Sequence, residues 1–388
     1  MIIIEKPYVS ELLIDTIVQN DWFVLNNEAV RLSNIEEGAL RLVSDEQAVN
    51  YYEKIDYPLI YSNSENSIDW ILENLPTSNI SRYIKLFKDK GLFRDMLKSL
   101  YPNFFYKLVP YENLKNIRLE DLKFPSVLKP AVGFLSLGVH KIYTDSDWKE
   151  ALFALEKEIK ETTKLYPQRV VNTANFLIEE FIEGEEFAID AYYDIDGTPV
   201  ILNIFEHPFL DSKDVKDRIY LTSKNTMMKY MSDFSTLLKK IGECNDIRNF
   251  PIHIEVKISP NGNVIPIEVN PMRFAGWCTT DVAKYAWGIN TYEYFFNQRK
   301  PNWNEIFANR GSYEFYFSMA EVPIGLDKNK IKSFNYEKFL ANYSRVLELR
   351  RINYHQHPLF AIIFGAISDP GEIQRILELK TKDYIEFS

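Results

Sequence analysis

The sequence predicts a mixed α/β protein of about two to three domains. Three observations carry that expectation. The 388 residues include 46 % hydrophobic and 14 % aromatic side chains, enough for more than one core. Residues 1–80 alternate short apolar runs with helical patterns, as in a small unit built on a parallel sheet. Further on, "HIEVKISPNGNVIPIEVNPMR" (253–273) reads as two strands joined by a turn. The formal net charge of −10 provides no global field for a polyanion and argues against nucleic acid as a partner. The longest apolar run, "PLFAIIFGAI", is about half the length a bilayer requires, and the N-terminus lacks the apolar core of a signal peptide. A soluble, cytoplasmic chain without a membrane partner is therefore expected. Cys244 and Cys278 stand in no metal-ligand spacing and read as small buried hydrophobes.

In chain order, "IIIE" starts a strand, "SELLIDTIVQ" a helix, "WFVLN" and "PLIYS" strands, and "SIDWILENL" a helix. No G-x-G-x-x-G follows the first strand, so the dinucleotide fingerprint is missing. The polar stretch Thr77–Asn79 marks a boundary near residue 80. "LFKDKGLFRDMLKSLYP" reads as one helix and "FFYKLVP" as a strand. Residues 124–181 give strand, loop, strand, helix, strand. The helix opens on Asp147 and Glu150, spaced as a capping box, and Trp148, Leu152, Leu155 and Ile159 recur at helical spacing. "EEFAIDAYY" (185–193) alternates as a half-buried strand, and "SDFSTLLKKIGEC" is helical. Residues 311–388 carry mixed signals and read as an appended unit.

The hairpin carries the first chemical signal. A turn centred on Asn261-Gly262 puts Glu255 opposite Glu268 and His253 opposite Asn270. Ile254, Val256 and Ile258 then face the other way, with Ile265, Ile267 and Val269. Carboxylates with Cβ atoms about 4.5–5.5 Å apart repel, and a hard divalent cation removes the repulsion. An oxygen-only donor set suits Mg²⁺ or Mn²⁺. Taken alone, two glutamates on one strand face are more often a solvated face than a metal site.

Two weaker patterns precede it. "FPSVLKPAVGFLSLGVHKI" places Lys129 at the end of an apolar strand, before a loop holding Gly133, Ser136 and Gly138. Small residues let backbone N–H groups approach an anion, and the lysine adds a point charge. "FLIEEFIEGEEF" (176–187) joins two strands through an acidic linker at Gly184.

Taken in order, "KDKGLFRDML", "SVLKPAVGFLSLGV", "FLIEEFIEGEEF" and "HIEVKI…PIEVNPMR" resemble the motifs of the ATP-grasp superfamily, specifically its carboxylate–amine ligases, over about residues 83–290. The resemblance implies an α+β ATP-grasp fold. It implies an N-terminal Rossmann-like domain (1–80), an ATP-grasp domain (81–310, lid subdomain about 122–183) with nucleotide between two subdomains, and a C-terminal α/β unit (311–388). ATP and Mg²⁺ (or Mn²⁺) are the implied cofactors, with small amino-acid-like acids and amines as substrates and a homodimer among the assemblies allowed. Lys129 and Lys90, with Lys88 as the competing choice, would contact phosphates beneath a loop (133–138) containing Ser136 and Gly138. Glu179 and the backbone of Glu180, Phe181 and Ile182 would hold adenine, and Glu186 the ribose. Glu255, Glu268 and Asn270 match the metal positions, and Arg273 would reach the γ-phosphate or a substrate carboxylate near a pocket at Arg273–Trp277 and 206–220. Two departures stand out: Met272 separates Arg273 from "NP", and "GFLSLG" is bulky for a lid. The implied reaction is amide formation through an acyl phosphate, releasing ADP and phosphate. The alternatives are a non-catalytic nucleotide-binding regulator and a bicarbonate-using enzyme.

Overall fold

The structure is a computed structural model. It describes residues 1–388 except 34, 37, 133–137, 166–171, 211–217, 324, 368, 370 and 388, with side chains omitted over 157–174. Among the described residues the strands form four sheets.

The N-terminal sheet is parallel, as its alternating pattern predicts. Its order is Arg41–Val43, Phe23–Leu25, Ile2–Ile3, Tyr61–Ser62. Helix Glu11–Asn20, capped by Ser10 Oγ accepting the Leu13 N–H, turns Leu13 and Ile17 into that core.

A small antiparallel sheet follows, in the order Tyr106–Pro110, Asn172–Glu180, Ser126–Val132, His140–Ile142. Helix Asp145–Leu165 covers it, burying Trp148, Ala151 and Leu155. The capping box lies one turn earlier than the sequence reading placed it. Thr144 Oγ1 accepts the Asp147 N–H, and the Asp147 carboxylate accepts the Thr144 N–H at 2.8 Å. A threonine cap with aspartate at N3 uses the same reciprocal logic as Asp147 with Glu150 and begins the helix sooner.

The long sheet runs Val264–Pro271, Phe250–Ile258, Glu185–Tyr193, Pro199–Glu206, Ile219–Ser223, Glu314–Glu321, Leu359–Ile367, Val346–Arg351. Strands of the 311–388 unit thus continue this sheet, while Ile331–Phe334 and Ile385–Phe387 pair separately. Strand Glu185–Tyr193 is buried on both faces from Phe187 onward, not half-buried. Helix Lys224–Asn245 covers one face with Met227, Phe234, Leu238 and Ile241, and the other face is packed as well. Of the cysteines, Cys278 is buried as expected, but Cys244 near the end of that helix is exposed.

One ion pair joins all three parts of the chain. Arg350 Nη1 lies 2.6 Å from Asp281 Oδ2 and 3.3 Å from Ser10 Oγ, and Asp281 also accepts from Tyr292 and Ser10. Glu348 occupies the other edge of the guanidinium at 3.0 Å. Removing one partner of a buried pair strands the other's charge. Arg350→Ala should lower the unfolding free energy by about 3 kcal/mol in a denaturant titration, and a loss below about 1 kcal/mol would show that the junction does not depend on the pair.

Candidate functional site

The hairpin sets Glu255 opposite Glu268 and His253 opposite Asn270. Nearer the tip the pairing slips by one residue: Val256 faces Pro266, Lys257 faces Ile265 and Ile258 faces Val264. The turn is closed by Ser259, whose N–H donates to Asn263 O at 3.0 Å while Gly262 N–H donates to Ser259 O at 2.8 Å. A bulge around Ile267 absorbs the extra residue and restores the pairing at the glutamates. Ile265 therefore lies on the carboxylate face, and Val264 takes its expected place beside Ile254, Val256 and Val269 in the apolar wall. Pro266 has no N–H to give the ladder, as suits a bulged edge strand. Its carbonyl accepts Arg94 Nη1 at 2.7 Å.

The cations come from a helix break. The expected single helix is two, Asn79–Lys88 and Lys90–Leu97, because Asp89 leaves helical geometry. Its carboxylate accepts the Gly91 and Leu92 N–H groups at 2.8 and 3.1 Å, an N-cap that outcompetes continued helix. Lys88 and Lys90 flank the break, and both enter the site. Lys90 Nζ lies 3.0 Å from Glu268 Oε2, and Lys88 Nζ lies 2.6 Å from Glu65 Oε2. Burial works against the Lys90 charge, but Glu268, Glu65 and Glu255 hold its pKa above the usual lysine value. Burial likewise opposes the Glu268 carboxylate, which Lys90 and Lys88 hold below its ordinary range.

Glu179 is enclosed. Lys129 Nζ lies 2.5 Å from Oε1 and Arg94 Nε 2.6 Å from Oε2. Both oxygens of the expected adenine ligand thus meet cations. Burial would raise its pKa, yet Arg94 and Lys129 bring it down to about 2. Arg94 binds Glu179 of the small sheet and Pro266 of the long sheet at once, so the two sheets meet at one guanidinium.

Further along the linker, Glu180 pairs with Lys123 and its N–H donates to Phe105 O at 3.0 Å. Phe181 N–H donates to Pro125 O at 2.8 Å, and the ring lies 5.7 Å from Lys141 Nζ and 5.2 Å from Lys257 Nζ. Ile182 is half-buried beside it. Glu186 Oε1 faces His207 Nδ1 at 3.4 Å and Oε2 faces Lys257 Nζ at 3.6 Å. His207 in turn stacks on Tyr220 at 4.4 Å. Gly138 takes φ +72 against Pro130, whereas Ser136 and the rest of 133–137 lie outside the described residues.

Met272, the extra residue before the arginine, takes a left-handed φ of +64 and buries its side chain. That twist still delivers Arg273 to the site, with Nη1 donating to Phe274 O at 3.0 Å and Nη2 lying 3.7 Å from Glu65 Oε1. Sequence reasoning missed four members of this cluster. Arg94 was findable, one turn past Lys90 on the same helix face. Lys257 was too, two residues past Glu255 in a strand. Glu65 and His207 come from distant segments with no local signal.

Glu255, Glu268 and Asn270 supply oxygen donors on one face, which fits a hard divalent ion. Among the described residues no group of three or more His, Cys, Asp or Glu is placed to hold a metal ion. No described helix is long and apolar enough to cross a membrane.

Residues 122–281 match the family profile described as an ATP-grasp domain. Solved structures share the fold at low identity. An L-amino acid ligase from Bacillus licheniformis aligns with TM-score 0.67 at 16 % identity, covering 100 % of this chain and 98 % of that one. A biotin carboxylase from Campylobacter jejuni in complex with β-γ-ATP gives 0.64 at 11 %, covering 100 % and 91 %. An N5-carboxyaminoimidazole ribonucleotide synthetase from Thermotoga maritima gives 0.63 at 15 %, covering 99 % and 98 %. No curated protein matches the sequence.

The depressed Glu179 carboxyl contributes stability that is complete above its ordinary range and is lost as pH falls through about 2. Between pH 6 and pH 2, the unfolding free energy of the wild type relative to Glu179→Gln should therefore drop by about 3 kcal/mol. A difference that stays flat with pH would show that Arg94 and Lys129 do not hold this carboxylate.

Proposed function

On the premise that the chain has the ATP-grasp fold, we propose that it is an ATP-dependent carboxylate–amine ligase acting on small, amino-acid-like substrates. The observation that carries this reading is the opposed Glu255–Glu268 pair, with Lys90 across it and the Lys129–Glu179–Arg94 cluster beside it. Opposed acids beneath paired cations suit a polyphosphate that brings its own divalent ion.

The nucleotide lies between the two sheets. The linker Glu180–Ile182 holds the base through its backbone, and Glu186 receives the ribose hydroxyls. Lys129 and Lys90 contact the phosphates, with Lys88 held to Glu65 as their neighbour. Glu255, Glu268 and Asn270 would hold Mg²⁺ or Mn²⁺, which when bound neutralises charge on the phosphate oxygens.

A substrate carboxylate oxygen attacks the γ-phosphorus as the bond to the ADP oxygen breaks, giving an acyl phosphate and ADP. Lys90, Lys129 and Arg273 offset the negative charge spread over the transferring group. An amine nitrogen then attacks the acyl carbon, phosphate departs with the bonding electrons, and the nitrogen releases a proton. Amide, ADP and phosphate result without a covalent enzyme intermediate. Exclusion of water between the sheets protects the anhydride from hydrolysis.

A screen of amino acids and dipeptides for acid- and amine-dependent phosphate release tests the proposal. Glu268→Gln should cut that release by about 10²–10³-fold. Turnover at the wild-type rate in this variant rejects the assignment. Mg²⁺-dependent ATP binding with no release from any acid and amine pair would favour a nucleotide-binding regulator, and dependence on bicarbonate alone would redirect the reading to carboxylation chemistry.

A further inference from the structure

The segment from Met272 to Cys278 carries Arg273 and is held in a conformation its residues do not favour. Met272 (φ +64), Trp277 (φ +50) and Cys278 (φ +59) are left-handed, and none is glycine. Each such residue costs about 1–3 kcal/mol and persists only where its surroundings impose it. At its start, Ser62 N–H donates to Met272 O at 3.0 Å. Just past its far end, Asp281 is tied to Arg350.

Its middle depends on one atom. Asp190 Oδ1 accepts the Ala275 N–H at 2.8 Å and lies 2.8 Å from His253 Nδ1. The tautomer with the proton on Nδ1 would give that oxygen a second donor. Asp190 is fully buried, and its second oxygen, Oδ2, has no hydrogen-bond partner among the described residues. A buried carboxylate with an orphan oxygen is a costly way to fill space. Its same-face neighbours two residues away, Ala188 and Tyr192, are buried among apolar side chains, so this face of the strand accepts apolar groups. Packing therefore does not account for Asp190. In register, Asp190 faces His253 and His253 faces Asn270, so one row of side chains crosses three strands to the acid face.

We propose that Asp190 is a positioning residue for the reaction. Through Ala275 and His253 it fixes where Arg273 stands relative to Asn270 and Glu268. This rests on the reading of Arg273 as a contact for the substrate carboxylate. The role needs an acceptor in place, not a change of protonation.

Asp190→Leu and Asp190→Asn separate the possibilities, both in the full-length chain. Leucine removes the acceptor, whereas asparagine keeps an Oδ1 able to receive both donors. Amide hydrogen exchange reads the segment without any turnover. The leucine variant should exchange at least about tenfold faster over 272–278, with the N-terminal sheet unchanged, and the asparagine variant should stay near wild type. With an acid and amine pair from the phosphate-release screen, the leucine variant should raise KM for the acid about tenfold and KM for ATP less than about twofold, with asparagine rescuing the former. Exchange that rises uniformly along the chain, or not at all over 272–278, overturns the proposal. So does an equal rise in both KM values, or equal loss in the asparagine and leucine variants. Should the leucine variant fail to fold, the asparagine variant still decides, because faster exchange over 272–278 or a raised acid KM in it contradicts the proposal and wild-type values in both support it. If no pair supports phosphate release in the wild type, the ligase reading fails, while the exchange result still judges the clamp.

Discussion

Two carboxylates facing each other across an antiparallel ribbon repel, and Glu255 opposite Glu268 is the constraint around which the neighbouring charges are arranged. The cations that answer it come from one short stretch. Asp89 interrupts a helix, and the interruption aims Lys88 and Lys90 at two different acids. One turn later Arg94 binds an acid of the small sheet and a carbonyl of the long one. A single polar cluster thus neutralises the acids and fixes the two sheets against each other. At Arg94 the two tasks are inseparable, since one guanidinium pairs with Glu179 and bridges both sheets.

Around this centre the chain uses buried charge as joinery. The Arg350–Asp281–Ser10 contact spans C-terminal, central and N-terminal segments, and the 314–367 strands continue the central sheet. Glu65, from the N-terminal unit, meets Lys88 and stands near Arg273. Residues from distant parts of the sequence therefore share the walls of one site. Desolvation makes each such group expensive alone and firmly held once paired.

Much of this was legible from local rules. Strand alternation and the Asn261-Gly262 turn anticipated the Glu255–Glu268 pairing, but the tip closed by Ser259 and Asn263 is one residue out of that register and the bulge around Ile267 restores it; the parallel N-terminal sheet followed from alternating apolar runs. What escaped was competition between neighbouring signals. Helical periodicity across 85–101 concealed the Asp89 cap, and Asp147 looked like a cap because it serves Thr144 as the N3 partner. Asp190 read as the exposed side of a half-buried strand, when helix and loop cover both faces. Long-range placements, such as Glu65 beside Arg273 or the C-terminal strands within the long sheet, have no trace in a window of a few residues.

The bulge around Ile267 separates two jobs that a plain hairpin would fuse. In a regular ribbon, adding or losing one residue at the tip turns every later side chain to the opposite face. Here Arg94 grips the Pro266 carbonyl below the tip, and the spare residue sits between that grip and Glu268. Alignment of the acids is thereby anchored from the helix side, and the Ser259–Asn263 tip is set apart from the register that the chemistry needs.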